Sequence, residues 1–352
     1  MSAVKNFGFS AVGVRMVTRF YYGERRGYES SLDVYTPSEP LPGGAAPPLV
    51  VLVVGSAWLG HRACIYLPTS WWNSAGPQTI ASLGAVCVAI RHRGAFVQAP
   101  PVEAAALLAA VLFALAGPAY ALGSFLIWVA LVILAHGAVT HEEMLEDVAS
   151  ALKWVEDNRS TLVVPGSPPP KVRIFGGYSS GGHCAASLLQ RPDKLKAWGL
   201  PVPAAGYDGI LMLSGVLGTR SEPPLPASSL SARLGAAVVK RLVFGRDGAE
   251  ALPSPVHTAE LTPALPHLLL HCEHEVFALP VLESALSHLL CSTTYAAALR
   301  ARGVPVVIRS VPSDHWFVLG SAELREALRA VLIDAEWPRE QVKFETHSRD
   351  VS

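Results

Sequence analysis

The run Gly176-Gly177-Tyr178-Ser179-Ser180-Gly181-Gly182-His183 contains Gly-x-Ser-x-Gly centred on Ser179. It follows the apolar stretch Ile174-Phe175 and precedes a helix-like apolar run, Cys184 to Gln190. A strand that turns abruptly into a helix leaves no room for side chains beside the central residue, which is why the flanking positions are small. That turn lifts the Ser179 hydroxyl into the open at a helix N-terminus, where the helix dipole favours developing negative charge. Ser179 is therefore the candidate nucleophile for acyl transfer, and it needs a base and an acid. In turns of this kind the acid and then the histidine follow along the chain. His315, in Pro312-Ser313-Asp314-His315-Trp316, comes after the last predicted strand and is the candidate base. Leu268-Leu269-Leu270 leads into His271-Cys272-Glu273-His274-Glu275, which makes Glu275 the candidate acid, with Glu273 and then Asp314 behind it. Adjacent residues in an extended loop point apart, which counts against Asp314 as the partner of His315.

Acyl transfer also requires donors for an oxyanion. The residue after the nucleophile, Ser180, offers one backbone N–H, and the small-residue loop Gly55-Ser56-Ala57-Trp58-Leu59-Gly60 offers those of Ser56 and Ala57. Trp58 and Tyr178 are the expected walls of the substrate pocket. His271, Cys272 and His274 invite a reading as metal ligands, but their spacing matches no zinc pattern, so neither metal nor cofactor is expected. His183 is expected to pack or cap near the turn.

These groups need a scaffold, and the chain supplies alternating strand and helix signals. Leu49-Val50-Val51-Leu52-Val53-Val54 is continuously apolar and mostly β-branched, as a strand buried on both faces reads. Ser31 to Tyr35, Ala85 to Ile90, Val172 to Phe175, Ile210 to Leu213, Leu268 to Leu270 and Val304 to Val311 are predicted strands. Leu145, Val148, Leu152 and Val155 share a helical face, and Leu282 to Arg302 predicts a second helix. Such alternation argues for an α/β fold with a mostly parallel central sheet flanked by helices.

One segment stands outside this pattern. From Ala104 to His141 there is no Asp, Glu, Lys or Arg. An uncharged stretch of that length exceeds the roughly 20 residues that cross a bilayer, although Gly117-Pro118 and Gly123-Ser124 interrupt it. A membrane hairpin through 104–135 is expected, against the alternative of two helices capping the core. A single sheet cannot lie on both sides of a bilayer, so the segment must return on the side it entered.

The chain has 352 residues, 28 Lys+Arg and 28 Asp+Glu, and one or two domains fit that length. Zero formal charge with no basic tract excludes the field that nucleic-acid binding needs. The 5 Cys are scattered without a C-x-x-C pair, so free thiols are expected. The first 23 residues hold no acid and read either as a transit peptide or as a packed extension. The expected divisions are an extension over 1–18 and an α/β domain over 19–335. That domain carries the apolar insertion at 102–140 and a Pro/Ser-rich lid at 217–256, and a tail spans 336–352. Asn158-Arg159-Ser160 is a glycosylation sequon.

With these residues in place the chain resembles the α/β-hydrolase superfamily, in the branch of prenylcysteine methylesterases, kynurenine formamidases and related carboxylesterases. Tyr22-Gly23 with Leu32-Asp33-Val34-Tyr35-Thr36-Pro37 is similar to the opening of that branch. Val54-Gly55-Ser56-Ala57-Trp58-Leu59-Gly60-His61-Arg62-Ala63 is closer to the methylesterase pattern than to the His-Gly-Gly-x-Trp of formamidases. Three departures stand out: Ser56 in place of a second glycine, Glu275 in place of Asp, and the apolar insertion. The resemblance implies a serine hydrolase of a lipophilic methyl ester on an endomembrane, with no cofactor. The alternatives are a formamidase-like or other lipid or aryl carboxylesterase, and an inactive hydrolase fold that binds a partner at a membrane.

Overall fold

The computed structural model describes residues 5–6, 14–25, 28–56, 58, 70–94, 139–164, 166–170, 172–201, 206–218, 254–273, 292–315 and 317–332. In chain order the strands are β1 (Lys5–Asn6), β2 (Val14–Arg25), β3 (Tyr28–Pro37), β4 (Leu49–Val53), β5 (Val86–Ile90), β6 (Arg173–Tyr178), β7 (Gly209–Leu213), β8 (His267–Cys272) and β9 (Val306–Val311). They form one nine-stranded sheet in the order β1-β2-β3-β5-β4-β6-β7-β8-β9. Pairing is antiparallel from β1 through β3 to β5 and parallel from β5 to β9. The helices are α1 (Ser70–Ser82), α2 (His141–Asp157), α3 (Ser180–Leu189), α4 (Pro192–Ala197), α5 (Ser292–Ala301) and α6 (Ala322–Leu332).

Alternation along each strand divides the core into two layers. Leu49, Val51 and Val53 of β4 join Phe175, Ile210, Met212 and Leu269 beneath α2, α3 and α5. Val50 and Leu52 join Ile174, Leu211, Leu268 and Leu270 beneath α1 and α6. Every residue of β4, β5 and β7 is buried, as the unbroken apolar runs predicted.

The central strands lie within a residue or two of their predicted positions. β6 instead continues through Gly176-Gly177-Tyr178, so the nucleophile turn begins only at Ser179. α2 starts at His141 because Thr140 closes a capping box: its hydroxyl accepts from the Glu143 N–H while Glu143 accepts from the Thr140 N–H. The sheet reaches further toward the N-terminus than a boundary at residue 19 implies, since β2 begins at Val14 and β1 pairs with it. Edge strands of mixed polarity lack the apolar run that reveals a central strand. Among the described residues no helix is long and apolar enough to cross a membrane. The apolar insertion through 138, residues 219–253 of the expected lid, and the tail lie outside the described residues, as does the first half of the predicted helix over 282–302.

Candidate active site

Ser179 connects β6 to α3 with φ 54 and ψ −127, a region sparsely populated by residues other than glycine and costing about 1–3 kcal/mol. The neighbouring strand holds it there. The Ser179 N–H donates to the Leu213 carbonyl at 3.1 Å, and its own carbonyl accepts from Val216 N–H at 3.0 Å. The glycines around it are sterically required. A Cβ on Gly177 would lie 2.4 Å from the Gly181 backbone, and one on Gly181 would lie 2.2 Å from the Val53 carbonyl oxygen. Gly55, from the facing loop, comes so close that a Cβ there would lie 2.7 Å from Cβ of Ser179.

His315 lies in the loop after β9, and its Nε2 is 2.9 Å from Ser179 Oγ. The geometry thus brings together a hydroxyl and an imidazole that are 136 residues apart in sequence. The loop is built around Asp314, whose Oδ1 accepts from Phe317 N–H at 2.8 Å while its carbonyl accepts from Val318 N–H. Tyr178 closes over the other side: its ring stacks on the His315 ring at 5.1 Å, and its hydroxyl donates to the His315 carbonyl at 2.5 Å. Tyr178 is only 4% exposed, so it is built into the site's framework more than into an open pocket wall.

The expected acid, Glu275, and the loop residue Ala57 lie outside the described residues. Glu273 is exposed at the end of β8, its N–H held by the Val311 carbonyl. On the oxyanion side, the Ser56 N–H donates to Ser180 Oγ at 2.9 Å. The donor that sequence assigns to an oxyanion is therefore engaged by the hydroxyl of the neighbouring element. The Ser56 hydroxyl is itself buried, and among the described residues it has no hydrogen-bond partner. Trp58 adopts φ 57 and is 5% exposed, its ring edge-on to His183 at 5.5 Å. It ties the loop after β4 to α3.

Behind the turn, His183 also packs against His141 with ring centroids 4.7 Å apart. Burial, reinforced by His183, His92 and Arg191, holds the His141 pKa well below the ordinary histidine value. Burial and then Asp147 push the Cys184 thiol up to about 12. One donor atom each from His141, His183 and Cys184 lies within 4.8 Å of the others. Tetrahedral zinc asks for donors about 3.5 Å apart, and two of these three are consecutive on one helix, where neighbours do not face one another. The set fits a packed, desolvated cluster better than a ligand cage. Of the other residues considered as ligands, Cys272 Sγ lies 3.1 Å from the Ser214 hydroxyl.

Sequence reasoning did not pick out the clamp between Arg93 and Asp147. Arg93 donates from its backbone N–H and Nε to Asp147 Oδ2, each at 2.8 Å, and from Nη2 to Oδ1 at 2.6 Å. Asp147 is fully buried and Arg93 nearly so. The signal was an acid among Met144, Leu145, Val148 and Ala151 on the apolar face of α2, which a buried helix tolerates only with a partner. Asn158, in the sequon, caps α2 by donating from its side-chain amide to the Trp154 carbonyl.

This sheet order, with a serine on the strained β6–α3 turn and a histidine after the last strand, defines the α/β-hydrolase fold. No protein-family model matches the chain, and no curated protein matches its sequence. Solved structures do match it. A bacterial heroin esterase superposes with TM-score 0.56 at 17% identity, over 92% of this chain and 86% of that one. Carboxyl esterase 2 from Tuber melanosporum gives TM-score 0.54 at 13% identity, over 94% and 89%. A thermostable carboxylesterase from a metagenomic library gives 0.52 at 17% identity, over 90% and 86%.

Proposed function

We propose that the chain is a serine carboxylic ester hydrolase acting through Ser179, His315 and an acid on the loop after β8, expected at Glu275. The observation that carries this reading is the 2.9 Å contact between Ser179 Oγ and His315 Nε2 on a strained strand-to-helix turn. Ser179 Oγ adds to the ester carbonyl carbon while its proton passes to His315 Nε2, and that proton then goes to the departing alkoxide. Water attacks the resulting acyl-serine, gives a proton to His315 and releases the carboxylic acid as the serine recovers its proton. The backbone N–H groups of Ser180, Ala57 and Ser56 would hold the oxyanion, the last after the Ser180 hydroxyl rotates away. The names of the solved esterases with this fold favour ester over other acyl substrates.

For the substrate, the resemblance of Val54 to Ala63 favours a lipophilic methyl ester of the prenylcysteine type. Val54 stands where the formamidase pattern has histidine, which weighs against N-formylkynurenine. Comparing hydrolysis of a prenylcysteine methyl ester, N-formylkynurenine and an aryl acetate by wild type and Ser179→Ala tests both points. Faster turnover of N-formylkynurenine would overturn the methyl-ester assignment, and full activity in Ser179→Ala would overturn the triad.

The reading also places the protein at a membrane, on the endomembrane system, through 104–135. The Arg93–Asp147 clamp supports its topology, because the residues that precede and follow the insertion are held side by side at one point of the fold. A segment whose two ends are tied together enters and leaves a bilayer on one face. Liposome flotation of the wild type and of a deletion of 104–135 tests this, and equal flotation of the two would contradict it.

A further inference from the structure

We infer that Tyr178, the residue before the nucleophile, is the positioning residue for the His315 base. The inference rests on the hydrolase reading above. β6 ends at Tyr178, so its backbone is fixed by the strand and its side chain is covalently one residue from Ser179. Its ring lies nearly parallel to the imidazole, at an interplanar angle of 29° and a centroid distance of 5.1 Å. Its hydroxyl reaches past the ring to donate to the main-chain carbonyl of the same histidine. The stack limits tilting of the imidazole, and the hydrogen bond fixes the backbone from which the imidazole projects. Two independent contacts from one side chain thus set where Nε2 lies relative to Oγ.

The arrangement has a mechanical logic. His315 projects from a loop beyond the end of β9, where Ser313 N–H donates to the Val311 carbonyl and Asp314 accepts from Phe317 N–H. Tyr178 ties the histidine of this loop to the strand that carries the nucleophile. A displacement of one ångström between base and nucleophile costs on the order of 100-fold in rate, so the contact is kinetically significant even where its contribution to stability is small. At 4% and 6% exposure, Tyr178 and His315 meet with little competition from water.

The test compares wild type, Tyr178→Phe and Tyr178→Leu on an aryl acetate, with the active-site concentration of each measured by fluorophosphonate titration. Tyr178→Phe keeps the stack and loses the hydrogen bond, and we expect kcat per titrated site to fall about 3- to 10-fold. Tyr178→Leu loses both contacts, and kcat per titrated site should fall about 100-fold. KM should stay within about twofold for both variants. A purely structural role would lower the number of titratable sites and leave the kcat of those remaining unchanged, which would overturn the inference. A pocket role would raise KM at constant kcat, which would overturn it equally. Labelled wild type with unaltered kcat in both variants refutes the positioning role alone, whereas absence of labelling in the wild type refutes the hydrolase reading and this inference with it.

Discussion

Ser56 donates its backbone N–H to the side-chain oxygen of Ser180 at 2.9 Å, joining the loop after β4 to the first residue of α3. Both residues are buried. An oxyanion would need that same N–H, so the Ser180 hydroxyl competes with the transition state for a donor. Exchanging a neutral hydrogen bond is worth about 0.5–1.5 kcal/mol. Ser180→Ala should therefore raise kcat about 2- to 10-fold on an aryl acetate by freeing Ser56, with the melting temperature little changed. Steady-state kinetics of this single variant checks it, and a fall in kcat would assign the hydroxyl a supporting role in the hole instead.

The packing of Gly55 under Ser179 makes a second prediction. A methyl group at position 55 would meet Cβ of Ser179 at 2.7 Å and the Tyr178 carbonyl oxygen at 2.8 Å, neither of which is a flexible side-chain end. Gly55→Ala should thus displace the nucleophile and lower kcat/KM by about 100-fold or more. Gly215 provides the contrast: a Cβ there finds its nearest neighbour at 3.5 Å, ordinary contact distance. Gly215→Ala should keep activity within a few-fold, measured on the same substrate.

The buried ion pair of Arg93 and Asp147 makes a third. Asp147→Asn leaves a buried guanidinium that has lost its two closest charge contacts and keeps Glu143 at 3.7 Å, and breaking such a buried pair costs about 3–5 kcal/mol. Urea unfolding should show that loss in Asp147→Asn. Arg93→Met combined with Asp147→Leu should recover most of it, because the double change removes both charges together.

The buried histidines give stability a pH dependence with a definite sign. His267 is buried, its Nδ1 2.6 Å from the Leu265 carbonyl oxygen, and burial chiefly lowers its pKa to about 4 from 6.5. His141 and His92 shift in the same direction, again through burial first. The unfolded chain therefore binds more protons than the folded one below pH 6.5, and stability falls as pH drops from about 6.5 toward 4. His267 alone should contribute a loss of about 3 kcal/mol across that window. His267→Asn, which keeps a donor for the Leu265 carbonyl, should show a visibly shallower decline in urea midpoints between pH 7 and pH 4.5.

Much of the scaffold was legible because its signals are local. Continuous apolar runs such as Leu49 to Val54 announce strands buried on both faces, and glycines at 177 and 181 announce a turn with no room for a Cβ. The proximity of Ser179 and His315 followed from chain order at strand ends, a property of parallel sheets. What escaped the sequence depends on side-chain direction across long separations. Tyr178 reads as a pocket residue until its ring is found against His315, and Ser56 reads as a free donor until Ser180 is found within reach. The Arg93–Asp147 clamp spans 54 residues, and although the apolar face around Asp147 calls for a buried partner, nothing in the spacing identifies Arg93 as that partner. The extent of β2 was hidden for another reason, since an antiparallel strand near the sheet's edge needs no apolar alternation to pair.

Ester hydrolysis at this site requires Ser179 to be an activated nucleophile with His315 as its base. Incubating wild type, Ser179→Ala and His315→Ala with a fluorophosphonate, then mapping the modified peptide by mass spectrometry, measures this directly. A phosphonyl group is expected on Ser179 in the wild type, with none in Ser179→Ala and labelling slowed by about 100-fold or more in His315→Ala. Unmodified Ser179 in folded wild-type protein, or equally fast labelling without His315, would contradict it.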